Sequence, residues 1–231
     1  MWSWKFKRKI LFNVKILGNE KISLLFLFIM NKLKEFDFNL LKKYKDILGI
    51  DEVGRGCIAG PLVVAGVILN NDFYSDEIND SKTIKKIEKR KELADLIKQN
   101  CKYFEILVFD SNFVDLHNPK QTSKIGMNQI AKKLENKFDI CLTDFEKIDE
   151  SINQINLTKG DQTSFSIACA SILAKSKRDE IISEIHKKYP EYEFLKHQGY
   201  LTKKHKEIIL KHKPIKNLYR LSYKFIKNFK K

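Results

Sequence analysis

Apolar residues in the first half of the chain form runs that suit β-strands. Residues 46–53 and 60–69 are rich in Ile, Leu and Val and are separated by a short glycine-containing turn. Two similar segments, residues 103–109 and 140–143, lie further along the chain. The pattern predicts four strands, the first two joined by a tight connection.

Helical spacing of apolar residues occurs in three other segments, residues 83–99, 121–138 and about 164–188. Ser81 or Thr83 is available as the N-cap of the first helix. The third segment contains several small residues, which would let a helix approach a sheet closely. Because the strands first follow one another and then alternate with helices, we expect a mixed α/β sheet with helices on its faces.

The first 29 residues stand apart from this pattern. They begin with aromatic and basic residues, and residues 22–30 are apolar except for Ser23. This run is too short to span a bilayer, which needs about twenty apolar residues. We favour initiation at Met30, so that residues 30–231 form the catalytic domain. The alternatives are a peripheral extension and a secretory signal, for which no small-residue cleavage site follows the run.

Charge is distributed unevenly along the 231 residues, whose formal net charge is +15. Residues 186–231 contain 14 Lys and Arg against 3 Asp and Glu, whereas residues 30–185 are close to neutral. A near-neutral body with a basic end suits an enzyme that binds nucleic acid. The four cysteines show no Cys-x-x-Cys spacing, so we expect reduced thiols and a cytoplasmic protein that does not enter the membrane.

Candidate chemistry lies where the first predicted strand ends. Asp51 and Glu52 close the strand, and Gly54, Arg55 and Gly56 form the turn that follows. Paired carboxylates are ligands for a hard divalent cation, and glycines allow main-chain groups to approach a ligand closely. In isolation, the alternative is a surface acidic pair before an ordinary hairpin.

Four ordered motifs give the chain a resemblance to the prokaryotic ribonuclease HII family over roughly residues 47–223. They are Gly-Ile-Asp-Glu-Val-Gly-Arg-Gly with Ala-Gly-Pro (49–61), Asp-Ser-Lys (80–82), Lys-Gly-Asp with the segment after it (159–179), and Lys-His-Gln-Gly-Tyr (196–200). The resemblance implies a ribonuclease H-like fold, in which helices flank a mixed sheet. It also implies a basic, helical C-terminal part from about residue 186.

The resemblance further implies a catalytic site that binds two divalent ions, Mn²⁺ or Mg²⁺, during catalysis. Its metal ligands would be four carboxylates from distant parts of the chain: Asp51, Glu52, Asp144 and Asp161. Asp144 is followed by Phe145, where the family usually has glycine. Asp139 and Asp149 therefore remain alternatives. Neighbouring strand residues point to opposite faces, so Glu52 would act through its carbonyl group or after a twist of the strand.

Substrate contacts are implied on the same basis. The turn of Gly54, Arg55 and Gly56 would read the ribonucleotide, and Tyr200 would pack against the sugar on the DNA side of an RNA–DNA junction. Arg55 favours ribonuclease HII over the ribonuclease HIII branch, which generally has threonine there. Phosphate contacts are expected from three cationic residues: Lys82, Lys175 and Arg178. The alternatives are a half-buried structural role for the tyrosine, and solvated or helix-paired positions for the cations.

Together these features predict an endoribonuclease that acts as a monomer on RNA/DNA hybrids and on duplex DNA containing ribonucleotides. It would cleave the RNA strand of a hybrid and incise 5′ of an embedded ribonucleotide, leaving 3′-hydroxyl and 5′-phosphate ends. One alternative is a ribonuclease HIII-like enzyme, which would spare a single ribonucleotide. The other is a nucleic-acid binding module with an inactive site, against which the presence of all four carboxylates argues.

Overall fold

Five strands form one mixed sheet in the computed structural model, which describes residues 32–78, 84 and 86–229. The strands are β1 (Ile47–Val53), β2 (Leu62–Leu69), β3 (Cys101–Phe109), β4 (Ile140–Asp144) and β5 (Gln154–Leu157), in the order β3-β2-β1-β4-β5. β1 pairs antiparallel with β2 and parallel with β4. β1 is therefore the central strand, and its carboxyl end lies beside that of β4.

Helices pack on both faces of this sheet. These helices are α1 (Lys32–Leu41), α2 (Ile87–Gln99), α3 (Ser111–Lys133) and α4 (Phe165–Lys188). Three shorter helices, α5 (Phe194–His197), α6 (Lys203–His212) and α7 (Lys224–Lys227), lie in the C-terminal part. α2 and α4 cover one face of β2 and α3 covers the other, because alternate residues of a strand point to opposite sides. The mixed α/β sheet flanked by helices that the sequence predicts is confirmed.

The beginning of α4 lies directly against the centre of β1. A Cβ atom on Gly49 would come within 2.4 Å of the Ser166 carbonyl carbon, so a larger residue would push the helix away. Asp51, two residues later, lies on the same face of the strand. This close contact therefore sets the distance between the carboxyl end of β1 and the side chains of α4.

The sequence pattern does not reveal α1, a helix that packs on the amino end of α4. Leu33 is buried in the core, and Asp37 is 1% exposed. Asp37 accepts hydrogen bonds from Ser164 Oγ at 2.7 Å and from the Ser166 amide and hydroxyl at 2.7 and 2.6 Å. A carboxylate at this position satisfies free N–H groups and complements the helix dipole. Within the described residues, the core thus includes α1 and does not begin near Asp46, where the first strand is expected to start.

The C-terminal part forms an apolar cluster of its own around the end of α4. Tyr192, Phe194 and Tyr219 are buried there together with Ile182 and Ile209. This part is helical, and its lysines up to Lys227 lie at exposed positions. None of the helices in the described ranges is long and apolar enough to cross a membrane.

Two elements differ from expectation for local reasons. The helix predicted over residues 121–138 is α3, which begins earlier, at Ser111, and is kinked at Asn118. Asn118 has a φ of 60° and precedes Pro119, which disfavours a helical conformation in the residue before it. β5 has only four residues, two of them polar amides, so its composition is that of a loop and the pattern does not predict it.

Some predictions fall on residues that the structure does not describe. These are residues 1–29 with most of the apolar run, the candidate N-caps Ser81 and Thr83, and the candidate phosphate contact Lys82. In the described part of the chain, Lys86 takes the N-cap position of α2 without a side-chain hydrogen bond.

Two truncations test where the core begins. We expect a protein of residues 30–231 to melt like the full chain, because it retains α1. A protein of residues 43–231 loses Leu33 and the Asp37 hydrogen bonds, which should lower the free energy of unfolding by at least about 3 kcal/mol. Denaturant unfolding of the three proteins is the measurement.

Equal stability of all three proteins would contradict the structural role of α1. A lower free energy of unfolding for the protein of residues 30–231 than for the full chain would show that residues 1–29 contribute to the fold. Independently, mass spectrometry of the native protein would refute initiation at Met30 if it detected peptides from residues 1–29.

Candidate active site

The carboxyl end of β1 presents its two acidic side chains to opposite faces of the sheet. Asp51 is buried on the α4 side, where the Ser171 hydroxyl donates a hydrogen bond to its carboxylate. Its Oδ1 also accepts the amide N–H of Glu52 at 2.7 Å. Glu52 shares the other face with Ile50. β1 continues regularly through both residues. The two carboxylates therefore flank the end of the strand from opposite faces, and the charge of Asp144 acts on both of them.

Burial dominates the electrostatics of Asp51. It raises the pKa of this carboxyl well above the ordinary value, and the negative charges of Glu52 and Asp144 raise the pKa further. The Ser171 hydrogen bond and the positive charge of Lys175 act in the opposite direction. Ser171 and Lys175 are one helical turn apart on α4, so the same face of that helix supplies both stabilising groups.

Burial also raises the pKa of Glu52, on the other face of the sheet, to about 7. The Arg55 guanidinium opposes this shift, whereas the charges of Asp144 and Glu146 add to it. Its Oε1 lies 3.1 Å from Arg55 Nη1, whereas its Oε2 is buried without a hydrogen-bond partner in the described structure. One carboxylate oxygen of Glu52 can therefore accept a further ligand in this negatively charged pocket.

Asp144 lies at the end of β4, next to these two residues. The parallel pair Ile50–Thr143 brings it beside Asp51, and its charge acts on both Asp51 and Glu52. Asp144 Oδ1 accepts the amide N–H of Gly160 at 2.7 Å. This hydrogen bond ties the loop that carries Asp161 to the end of β4, and Asp161 itself is buried.

The two alternatives to Asp144 lie elsewhere. Asp139 precedes β4, at the opposite end of the strand, and its Oδ2 accepts the amide N–H groups of Lys45 and Asp46 at 2.7 and 2.9 Å. Asp149 lies in an exposed loop and accepts hydrogen bonds from Ser151. Of the three aspartates, only Asp144 contributes to the electrostatics of the β1 carboxylates as described above.

The turn after Asp144 has a conformation that accounts for the glycine usual in the family. It also places Glu146, which the sequence analysis did not single out, next to the site. Phe145 has a φ of 67°, a conformation that favours glycine, and its side chain is 60% exposed. The Glu146 amide donates to the Asp144 carbonyl at 2.8 Å, which closes a tight turn. Glu146 is buried, and its Oε1 lies 3.0 Å from Arg55 Nη1. The only sequence signal was an acidic residue two positions after the strand end.

The glycine-arginine turn is held in place by the C-terminal part. Gly54 has a φ of 98°, and a Cβ atom there would come within 2.6 Å of the Pro61 carbonyl oxygen. The Arg55 carbonyl accepts hydrogen bonds from Arg220 Nη1 at 3.0 Å and from the Tyr223 hydroxyl at 2.7 Å. Side-chain donors from the C-terminal part therefore fix the main chain of the turn, while the Arg55 side chain remains 35% exposed.

Tyr200 lies beside this turn. A Cβ atom on Gly56 would be 3.6 Å from Tyr200 Cε1, and Tyr200 is 45% exposed. The structure thus brings the tyrosine and the glycine-arginine turn together at the surface, as the motifs suggest.

Arg178 is not available to a phosphate, and this prediction is corrected. The residue is 3% exposed, and its guanidinium donates to the carbonyl groups of Pro61 at 3.0 Å, Gln198 at 2.9 Å and Ala59 at 3.3 Å. It joins the loop after β1 to the turn before Tyr200. Helix-neighbour pairing does not describe these contacts either, because all three acceptors are far away in the sequence.

Two stacked histidine side chains pack against the turn that carries Tyr200. The rings of His197 and His205 have centroids 3.6 Å apart. His205 Nδ1 lies 2.8 Å from the Tyr200 carbonyl oxygen, and its Nε2 lies 2.8 Å from the Tyr219 hydroxyl. Burial lowers the pKa of His205 to about 4 and also lowers that of His197. Both rings are therefore neutral at pH 7.

Within residues 32–78, 84 and 86–229, no three His, Cys, Asp or Glu side chains form a ready metal site. The acidic pocket nevertheless fits a divalent cation, for two reasons. Glu52 Oε2 is buried without a hydrogen-bond partner in this part of the chain, and the pKa values of Asp51 and Glu52 are raised by burial and by like charge. A cation would relieve both conditions, and carboxylate oxygens are the ligands that hard divalent ions prefer.

Comparison with known proteins finds a matching family model and similar relatives. The family model described as Ribonuclease HII matches residues 48–226. Ribonuclease HII of Mycoplasma mycoides subsp. mycoides SC is 42% identical over 202 residues, which cover 86% of this chain and 97% of that protein.

Solved structures share the fold. The RNase HII of Archaeoglobus fulgidus, solved in a PCNA complex, is similar with a TM-score of 0.65 at 23% identity, covering 76% of this chain and 92% of that chain. Bst-RNase HIII, solved in complex with Mn²⁺, gives a TM-score of 0.61 at 19% identity, covering 79% and 68%. The predicted ribonuclease H-like fold is confirmed.

The neutral histidine pair predicts a pH dependence of stability. Unfolded His205 takes up a proton near pH 6.5, whereas the folded ring does so only near pH 4. The free energy of unfolding should therefore fall as the pH decreases from about 6.5 to 4, by roughly 1 to 3 kcal/mol for this residue. Urea unfolding of the wild type and of His205→Gln across this range is the measurement. The variant should lose less stability than the wild type; parallel curves would contradict the assignment.

Proposed function

The chain belongs to the ribonuclease HII family, whose members are ribonuclease H endonucleases, and we propose that it both cleaves RNA/DNA hybrids and incises duplex DNA 5′ of an embedded ribonucleotide. The products are 3′-hydroxyl and 5′-phosphate ends. The proposal includes a catalytic domain of residues 30–231 that acts as a monomer in the cytoplasm.

The interaction of Asp144 with both β1 carboxylates is the observation that carries this proposal. Three carboxylates from two parallel strands influence one another, and the Asp144 hydrogen bond to Gly160 draws a fourth into the same region. The ligands proposed for Mn²⁺ or Mg²⁺ are Asp51, Glu52, Asp144 and Asp161. Two such ions, when bound, supply charge stabilisation to the attacking and leaving oxygens of a phosphodiester.

The protein's own groups orient the substrate around this pocket. The main chain at Gly54 and Gly56 can approach a ribose closely, and the 2′-hydroxyl both donates and accepts hydrogen bonds. Arg55 reads the ribonucleotide from the same turn. Lys175 partly offsets the charge of Asp51 and is the remaining candidate in the described structure for a phosphate contact from α4.

Recognition of the junction is assigned to Tyr200. Its exposed ring, next to Gly56, is suited to pack against the deoxyribose that follows the ribonucleotide. The exposed lysines of residues 186–229 then attract the phosphate backbone over a longer range. A ribonuclease HIII-like specificity is the second candidate, and Arg55 speaks against it.

Incubation of the protein with a duplex containing one ribonucleotide, with and without Mn²⁺ or Mg²⁺, tests the function directly. We expect one nick 5′ of the ribonucleotide that depends on the metal. Cleavage of long hybrids only would favour the HIII-like alternative, and binding without cleavage would favour an inactive binding module.

Asp144→Asn tests the assignment of the carboxylates. The substitution removes a charge and nearly preserves shape, so turnover should fall by orders of magnitude while hybrid binding persists or tightens. Asp149→Asn is the matched control, since it makes the same change in an exposed loop. If Asp144→Asn keeps more than about a tenth of wild-type activity, a cost below roughly 1.4 kcal/mol, Asp144 is not a ligand.

Tyr200→Ala tests junction reading separately from chemistry. Loss of the ring should cost about 1 to 3 kcal/mol, by analogy with base–aromatic contacts, which is roughly tenfold to a hundredfold in kcat/KM. The loss should be confined largely to single-ribonucleotide duplexes, because a long hybrid offers many cleavage registers. Tyr103→Ala, at an exposed tyrosine on β3, is the control. An equal loss on both substrates would indicate a structural role, and no loss would place Tyr200 outside the site.

A further inference from the structure

Arg55 is paired with two glutamates at once. Its Nη1 lies 3.1 Å from Glu52 Oε1 and 3.0 Å from Glu146 Oε1. Both carboxylates are largely buried, whereas about a third of the Arg55 side chain is exposed. One cation is thus shared by two acidic side chains, only one of which belongs to the proposed metal ligands.

Glu146 is held rigidly, and independently of its carboxylate. Its carbonyl oxygen accepts hydrogen bonds from Thr143 Oγ1 at 2.7 Å and from Asn156 Nδ2 at 3.2 Å. The tight turn centred on Phe145 directs the Glu146 side chain into the protein while the phenylalanine faces solvent. This backbone conformation, with a φ of 67° at Phe145, is unfavourable for a residue other than glycine. A strained turn that buries an acidic side chain against an arginine indicates a functional constraint.

The shared ion pair has a consequence for metal binding. A divalent cation held by Glu52 would repel the Arg55 guanidinium, which would lose its attraction to that glutamate. Without a second acceptor, the guanidinium would either stay on Glu52 and oppose the cation or leave the substrate-facing turn. Glu146 lies at the distance needed to retain it.

We propose that Glu146 is the permanent counter-ion of Arg55, a positioning residue that keeps the guanidinium in the glycine-arginine turn and frees Glu52 for metal. This inference rests on the proposed roles of Arg55 and Glu52. It assigns to Glu146 no contact with the metal or with the reacting atoms. Its effect is transmitted entirely through Arg55.

A double-mutant cycle on Mn²⁺ binding tests this coupling without substrate. Calorimetric titration of the substrate-free protein should give a dissociation constant about tenfold higher for Glu146→Gln than for the wild type, because Arg55 then pairs with Glu52 alone. In an Arg55→Met background the same substitution should change Mn²⁺ affinity less than about twofold. Glu150→Gln, an exposed carboxylate in the same loop, is the control for loss of one negative charge.

The outcomes separate the counter-ion role from its alternatives. An equal loss of Mn²⁺ affinity in the wild-type and Arg55→Met backgrounds would mean that Glu146 acts on the metal by its own charge. No loss of affinity in either background would mean that Glu146 does not assist metal binding. Both results overturn the proposal. Glu146→Asp, which keeps the charge, should bind Mn²⁺ within about threefold of the wild type and provides the test if the glutamine variant does not fold.

Cleavage of the single-ribonucleotide duplex by the wild type, measured in parallel, reports on the proposed function. A wild type that cleaves, combined with a Glu146→Gln protein of full Mn²⁺ affinity, contradicts the counter-ion role alone. A wild type that neither cleaves nor binds Mn²⁺ contradicts both.

Discussion

Burial of neighbouring carboxylates at the carboxyl ends of β1 and β4 is the constraint to which the surrounding structure responds. Asp51, Glu52 and Asp144 are brought together by strand pairing, and burial deprives Asp51 and Glu52 of water. Each is stabilised by a different neighbour: a hydroxyl and an ammonium group from α4, a guanidinium from the turn, and a main-chain N–H from Gly160. These groups offset the negative charge only partly, which leaves a pocket that favours a cation.

The proposed substrate-facing surface depends on two buried arginines. Arg178 and Arg220 are almost fully buried, and their guanidinium groups donate mainly to main-chain carbonyls of the loop after β1 and of the turn before Tyr200. Charged donors make strong hydrogen bonds, and a buried cation without partners would be very costly. The C-terminal part therefore does more than supply basic surface. It fixes the relative position of the glycine-arginine turn and Tyr200, on which the proposed junction reading depends.

Sequence reasoning recovered the elements whose signal is local. β1, β2 and α4 follow from runs and periodicities, and Asp51 and Asp144 follow from motifs at strand ends. It failed where a residue's role depends on a distant partner. Nothing near Asp37 indicates that it caps α4, more than a hundred residues later. Arg178 resembles a surface cation until its three carbonyl partners are seen. The proposed role of Glu146 becomes visible only from its contact with Arg55, whose Nη1 lies 3.0 Å from Glu146 Oε1.

Proton release on metal binding tests the central claim most directly. If burial, together with the charges of Asp144 and Glu146, holds Glu52 partly protonated near its pKa of about 7, a divalent cation must displace that proton. Mn²⁺ titrations by calorimetry at pH 7, in buffers of different ionisation enthalpy, should show release of at least about half a proton per protein, and less as the pH is raised. Binding of Mn²⁺ with no proton release at any pH between 6 and 8 would contradict the account.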